Sequence, residues 1–441
     1  MFVLLLMITF IFSTGFVDAR EPATLYISPE GKYTGGCTEF YPCREIGRAA
    51  SFAIPGDVIS VADGNYPPFT VENFRGTPDK PLVIKAAGDN VKVMPADGAQ
   101  SSPDNITIVQ SDYVILDGLQ SFGAPTAAVR LDNSHYVTIR NGVFGGNGRW
   151  GIFTKHTNGV TIVNNKIYGS LKEHGIYISN SGDKHIISGN TIFDNSGSGI
   201  HINGDRTAGD GRNVTADGII SDVVIEKNVI YNNGRKGGGA VNMDGVQDAI
   251  IRNNVMYDTH GAAITAYRIN GAEGPKNVKI YNNTIDMAED GKWALIIRKT
   301  AGPVVVMNNI IFSRNPKRGI FSIGDRKSIF QRFGVLIGNN ELKDFHSDHN
   351  LYAKSDYLAT TDDNRTRFGL WKWRWTQNDV KSIAVDINDV FVDIHNRNYR
   401  LASGSAAIDQ GIALDDVKED VADATRPQGA RYDLGAYEYV P

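Results

Sequence analysis

His201, Asn203, Asp205, Asn242, Asp244, Tyr267 and Arg298 fall at related positions of short apolar runs. Between them they carry acid–base, cationic and oxygen-ligand chemistry. Three of the runs, GIFTK, GIYIS and GIHIN, open at Gly151, Gly175 and Gly199, 24 residues apart. Three more are AVNMDG, AAITAYR and WALIIRK. Along an extended chain, alternate side chains point to opposite faces. Ile152, Thr154, Ile176, Ile178, Ile200 and Ile202 then face inward, and parity adds Val241, Met243, Ala262, Ile264, Ala266, Trp293, Leu295 and Ile297. Three outward columns follow. The first is Phe153, Tyr177, His201, Ala240, Ala263 and Ala294. The second is Lys155, Ser179, Asn203, Asn242, Thr265 and Ile296. The third is Thr157, Ser181, Asp205, Asp244, Tyr267 and Arg298. His174 and Arg268 join the strip from flanking turns.

Packing alone does not call for His, two Asp, Tyr and Arg on one strip. Together they suit an anionic sugar polymer. Cutting a uronate by β-elimination needs a cation on the carboxylate, a base for the C5 proton and an acid for the leaving oxygen. His201, with His174 behind it, is the expected base. Tyr267 and Arg268 complete the catalytic set, Arg268 holding the carboxylate as a fixed guanidinium. Lys155, Tyr177, Asn203, Asn242 and Arg298 are the expected substrate contacts. Asp205 and Asp244, taken to face each other on neighbouring coils, would hold Ca²⁺ through oxygen ligands.

Such columns need regularly stacked strands, and the asparagines supply the evidence for stacking. Asp117, Asn141, Asn165, Asn190, Asn228, Asn254, Asn283 and Asn309 recur at gaps of 24, 24, 25, 38, 26, 29 and 26 residues. Each follows a short β-branched run, as in TIVNNKIY, IIRNNVMY and VVMNNIIF. A fixed period marks one supersecondary unit repeated. The unit is too short for a helix pair and is rich in turn residues. The reading is an all-β chain: a single-stranded right-handed parallel β-helix over 55–415. Asparagine tolerates left-handed backbone angles, and its amide can bond a like amide one coil away. The longest gap contains the polar insert Asn203–Gly218, expected as a side loop. A helix over Arg44–Ala53 is the expected N-terminal cap on the open first coil.

Residues 1–19 read as a signal peptide cut after Ala19, which implies a secreted, periplasmic or cell-surface protein. No later stretch is apolar enough to span a membrane. The expected divisions are 20–110 for the cap and first coils, 111–345 for regular coils and 346–441 for C-terminal coils and a closing cap. The only two cysteines, Cys37 and Cys43, are spaced for a small disulfide loop. A net charge of −4 argues against nucleic acid as partner. The chain reads as a monomer. Trp371, Trp373 and Trp375 alternate with Lys372 and Arg374, as in a strand with one aromatic face.

The segments YISPEGKYTGGCTEFYPCREIGRAA, GTPDKPLVIKAAG (Gly76–Gly88), HGIYISNSGD, FVDIHNRNYRLASGSAAIDQG and DLGAYEY resemble those of secreted right-handed parallel β-helix proteins. These include the polysaccharide lyases of pectate, alginate and chondroitin type. The resemblance covers nearly the whole mature chain and implies the fold, not the substrate. Three other readings stand beside the lyase. The runs NMDG, THGAA and Ile297–Lys299 echo three of the four polygalacturonase motifs in order, without the central Asp pair that inversion needs. A uronate C5-epimerase shares the proton abstraction. A noncatalytic glycan-binding surface protein needs the columns only for contact.

Overall fold

The computed structural model describes residues 20–95, 102–315, 317–324, 330–332, 335–337, 340–355, 357–361 and 367–441. The proposed signal peptide lies outside the described residues. Three sheets of 12 strands each run the length of the molecule, and the chain visits them in turn. The first runs from Thr24–Lys32 to Phe345–Asp348, the second from Gly64–Tyr66 to Ile383–Val385, the third from Phe69–Glu72 to Arg367–Phe368. Pairing is parallel throughout, except at the last step of the third sheet, where Ala359 opposes Phe368. The fold is a right-handed parallel β-helix, as the period implied. Coils begin earlier than residue 55, at the strand Thr24–Lys32, and end at Ile383–Val385.

Strand parity explains the core. Ile139, Ile162, Ile187, Ile225, Ile251 and Ile280 stack in one fully buried column of the first sheet. Each such side chain contributes about 1.5–3 kcal/mol relative to exposure. The first coil is closed by a short helix, Ile46–Ala50, which buries Ile46 and Ala49. Cys37 and Cys43 are disulfide-bonded beside it.

The two properties expected of one asparagine are divided between neighbours. Asn164, Asn253, Asn282 and Asn308 take the left-handed conformation, with φ of 48–60°. The residue after each forms a buried ladder. Side chains of Asn165, Asn190, Asn228, Asn254, Asn283, Asn309 and Asn350 bond head to tail at 2.9–3.0 Å. Asp117 and Asn141 stand outside the ladder. Asn141 falls in the left-handed column, and Gly142 occupies the ladder position, its N–H donating to Asn165 Oδ1. A shorter second ladder, Asn195 to Asn233 at 2.9 Å, lines the turn into the third sheet.

Two segments depart from expectation at the C-terminal side. Leu370–Trp373 is helical and Arg374–Thr376 is a 3₁₀ turn, not a strand. Helical spacing sends Trp373 into the core, its indole N–H on Asp379 at 2.9 Å, and leaves Trp371 and Trp375 exposed and edge to face. The tail after the last coil is not a closing coil. It runs back along the outside, over the left-handed column. Asn308 donates to Ile412 O, Lys279 pairs with Asp416 and Asn253 donates to Glu419 O. The chain then turns near Lys227 and returns, Arg426 pairing with Glu438 where neither side chain is exposed, and Asn282 donating to Asp433 O.

Candidate functional site

The outer face of the third sheet carries the polar strip, but its register differs from the parity reading. His201 pairs with Asn242, and Asn203 with Asp244. Asn242 pairs with Thr265, Asp244 with Tyr267, and Thr265 with Ile296. The first column is therefore Phe153, Tyr177, His201, Asn242, Thr265 and Ile296. The second is Lys155, Ser179, Asn203, Asp244 and Tyr267. Every coil from residue 239 onward is displaced by two residues from expectation. The glycine column Gly151, Gly175, Gly199 continues through Ala240 and Ala263, one residue before Val241 and Ile264. Gly238 and Gly261 belong to turns that approach too closely for side chains: a Cβ on Gly261 would lie 1.6 Å from Gly238 O.

This register removes the expected calcium pair. Asp205 and Asp244 do not oppose each other; Asn203 opposes Asp244. Asp244 is buried and accepts the backbone N–H groups of Ile269, Asn270 and Gly271 at 2.8, 2.8 and 3.2 Å. Asp205 accepts Thr207 N–H and Oγ1–H at 2.8 and 2.7 Å. A carboxylate so saturated is not presented to a cation. Among the described residues no group of three or more His, Cys, Asp or Glu could hold a metal ion.

Asp244 instead fixes the loop after the strand Ala262–Tyr267. Arg206 grips the same loop from the carbonyl side, within 3.2–3.4 Å of Ile269, Asn270 and Gly271 O. Arg206 belongs to the insert after Asn203, which continues toward the N-terminal coils and docks there. Arg212 pairs with Asp112 at 2.6 Å and donates to Asn133 O. The expected side loop is thus a tied strap along the edge of the polar face.

A groove of about 360 Å³ opens beside the clamped loop. Asn242, Thr265, Tyr267, Arg268, Ile269, Lys292, Ile296, Arg298 and Lys299 line it. Four of the expected residues, Asn242, Tyr267, Arg268 and Arg298, meet here. Lys292, just before WALIIRK, and Lys299, its last residue, were not among the expected site residues, and Lys299 entered only through the Ile297–Lys299 run. Among the described residues that line it there is no carboxylate. Arg298 is fixed by Ile297 O, Ser322 O and Ser322 Oγ at 3.0, 2.6 and 2.7 Å. Arg268 reaches Ala272 O and lies 3.8 Å from Glu273. Lys292 is exposed and makes no ion pair among the described residues. Burial, reinforced by Asp244, pushes the Tyr267 phenol up to about 12, so it keeps its proton at neutral pH.

His201 is not free for solvent. Asn242 Nδ2 donates to its Nδ1 at 2.9 Å, so the ring proton belongs on Nε2. His174 stacks flat on it at 4.5 Å, and Tyr177 stands edge-on to both rings. Burial, with His174 beside it, pushes His201 down to about 3; burial pushes His174 down to about 4. Both rings are neutral at neutral pH but weakly basic, which counts against either as the base. His174 Nδ1 is also occupied by Ser198 N–H at 2.9 Å. Asn203 is buried and receives Asn270 Nδ2–H at 3.3 Å. Lys155 lies three coils before Asp244, away from the groove.

Residues 150–342 match the family described as right handed beta helix region, and residues 80–210 match periplasmic copper-binding protein (NosD). The chain is similar to the solved pectate lyase Pel9A at 16% identity and a TM-score of 0.59, covering 96% of this chain and 97% of that one. It is similar to XylC in complex with xylose at 11% identity and 0.51, covering 95% and 98%. It is similar to a GH136 lacto-N-biosidase from Eubacterium ramulus at 11% and 0.52, covering 82% and 67%. No curated protein sequence matches the chain at significance. The chain is a right-handed parallel β-helix protein, and likeness at these identities is likeness of fold.

Proposed function

We propose that the chain is a polysaccharide-active enzyme, a lyase that cleaves a uronic-acid-containing polymer by β-elimination. The observation that carries this reading is the groove itself: Arg268, Lys292, Arg298 and Lys299 beside a protonated tyrosine, with no carboxylate among the described lining residues. A two-carboxylate hydrolase lacks its acid and its base there. The cations suit a uronate carboxylate and stabilise the charge that develops when C5 loses its proton. Arg268 and Arg298 hold the carboxylate. Lys292 takes the C5 proton in its neutral amine form, in place of His201, so that Arg268, Arg298 and Lys299 supply the positive charge. The C5–H electrons form the C4–C5 double bond, the C4–O bond breaks, and Tyr267 donates its proton to the leaving oxygen. The pectate lyase with a similar fold is consistent with this chemistry. The apolar segment 1–19 supports export, and among the described residues no helix is long and apolar enough to cross a membrane.

The test is ultraviolet absorbance of the unsaturated uronate, with purified protein on a panel of anionic polysaccharides. Lyase action gives rising absorbance with chain shortening. Shortening without absorbance means hydrolysis, and altered C5 configuration without shortening means epimerisation. Lys292→Met is expected to reduce the rate about a hundredfold or more.

A further inference from the structure

Arg268 and Ile269 reach the groove from a surface loop, residues 268–272, that follows the strand Ala262–Tyr267. Backbone groups of a surface loop are ordinarily left to water. Here every N–H and C=O from Ile269 to Ala272 has a protein partner. The N–H groups of Ile269, Asn270 and Gly271 go to the Asp244 carboxylate, and that of Ala272 goes to Gly218 O at 3.0 Å. The carbonyls of Ile269, Asn270 and Gly271 converge on Arg206 Nη1 at 3.2–3.4 Å. Asn270 O also accepts the Arg206 backbone N–H at 3.3 Å, and Ala272 O accepts from Arg268 Nη1 at 3.3 Å.

Two of these partners, Arg206 and Gly218, are the two ends of the strap. They are packed together: a Cβ on Gly218 would lie 2.6 Å from Arg206 Cα. Between them the legs of the strap are largely exposed. Its tip is not loose. Gly211 and Val214 exchange backbone hydrogen bonds at 2.9 and 3.3 Å, Arg212 meets both Asp112 oxygens at 2.6 and 2.9 Å, and Asn213 O accepts Asn158 Nδ2–H at 3.1 Å. The strap is therefore fixed at its tip by the early coils and at its base by the groove loop. Arg206 is not among the described residues that line the groove. Its contact is with the carbonyls of the loop that does. Without it those three carbonyls would turn to water, and Arg268 would move with the backbone that carries it.

We propose that Arg206 is a positioning residue for polymer binding: through the loop backbone it holds Arg268 where a uronate carboxylate meets the guanidinium. This rests on the reading of the groove as a uronate site. A guanidinium on a clamped loop loses less freedom on pairing than one on a loose loop, so the clamp raises affinity without touching the polymer.

Two readouts on the full chain test this. Hydrogen–deuterium exchange reports the amides of residues 269–272 with no ligand present. Affinity electrophoresis through gels of polygalacturonate, polymannuronate or hyaluronan reports binding, in the gel that retards the wild type most. Arg206→Ala should speed exchange in the loop at least about tenfold, with circular dichroism unchanged, and weaken retardation about fivefold or more. Arg206→Lys, which keeps a cation for the carbonyls, should recover most of both. Arg268→Ala should weaken retardation at least as much, and adding Arg206→Ala to it should weaken it no further, because the two act through one contact. Unchanged exchange or unchanged retardation in Arg206→Ala, or losses that add in the double variant, overturns the positioning role and leaves the groove reading intact. Retardation in no gel, or Arg268→Ala retarded like the wild type, sinks the uronate reading and the positioning role together.

Discussion

At the scale of the residue, environment decides which polar groups can act. Tyr267 is held protonated by burial and Asp244, so Tyr267→Phe removes the proton donor without removing the ring. The expected loss is about 10²–10⁴ in kcat with KM little changed, measured on whichever polymer the wild type cuts. His201 acts through Asn242, so His201→Gln, which can keep that hydrogen bond, should retain more activity than His201→Ala. Equal, complete loss in both would restore His201 as a base. His185 shows what burial does away with the groove. It sits between Val160 and Val223 in the core column, and among the described residues neither ring nitrogen meets a hydrogen-bond partner of good geometry. Burial pushes it from 6.5 down to about 4. The folded state therefore resists a proton that the unfolded chain accepts. Its contribution is full above about pH 6.5 and is lost as pH falls toward 4, by about 3 kcal/mol in all. His185→Leu should flatten that part of the stability-against-pH curve in urea titrations.

At the scale of the element, the sequence was legible wherever one physical rule had one solution. The period exposed the stacking, and inward parity was right at Val241, Met243, Ile264 and Leu295. The outward columns failed for a specific reason. Parity is unchanged by a slip of two residues, and the insert after Asn203 removed the spacing that would have fixed the offset. Gly238 and Gly261 then looked like strand openers. One slip produced the false Asp205–Asp244 pair and hid Asn242 beside His201. The tryptophan triplet failed similarly, because alternation over five residues does not separate a strand from a helix with an i, i+4 face. The asparagine ladder was visible as spacing, but its division of labour was not. Asn254 donates to Ile225 O, Arg252 O and Asn283 and accepts from Asn228. Asn254→Leu strands those partners away from water, at a cost of about 2–4 kcal/mol. Denaturant unfolding should show it, with Asn164→Ala as a milder control.

At the scale of the whole molecule, a solenoid with only neighbour contacts gains stability coil by coil. The tail adds contacts of another range, because it touches the coils of Lys227, Asn253, Lys279 and Asn308 in one passage. Arg426 and Glu438 anchor its return, both unexposed. Arg426→Ala should cost about 3–5 kcal/mol, since it leaves a buried carboxylate alone. Urea unfolding followed by fluorescence should then lose its single sharp transition. The tail also works as a ruler. Its anchor points match four consecutive coils at their own pitch, so a coil gained or lost within that stretch would put every later anchor out of step. Coils around Asn141 to Asn190 lie outside the tail's tally but under the strap that ties Arg212 to Asp112 and Asn133, so only coils N-terminal of Asp112 can be duplicated or deleted without disturbing either. The groove lies within the measured stretch, on the opposite side of the same coils. Any lengthening of the solenoid compatible with this arrangement therefore falls toward the N-terminus, extending the face that receives the polymer while the spacing of Tyr267, Lys292 and Arg298 stays fixed.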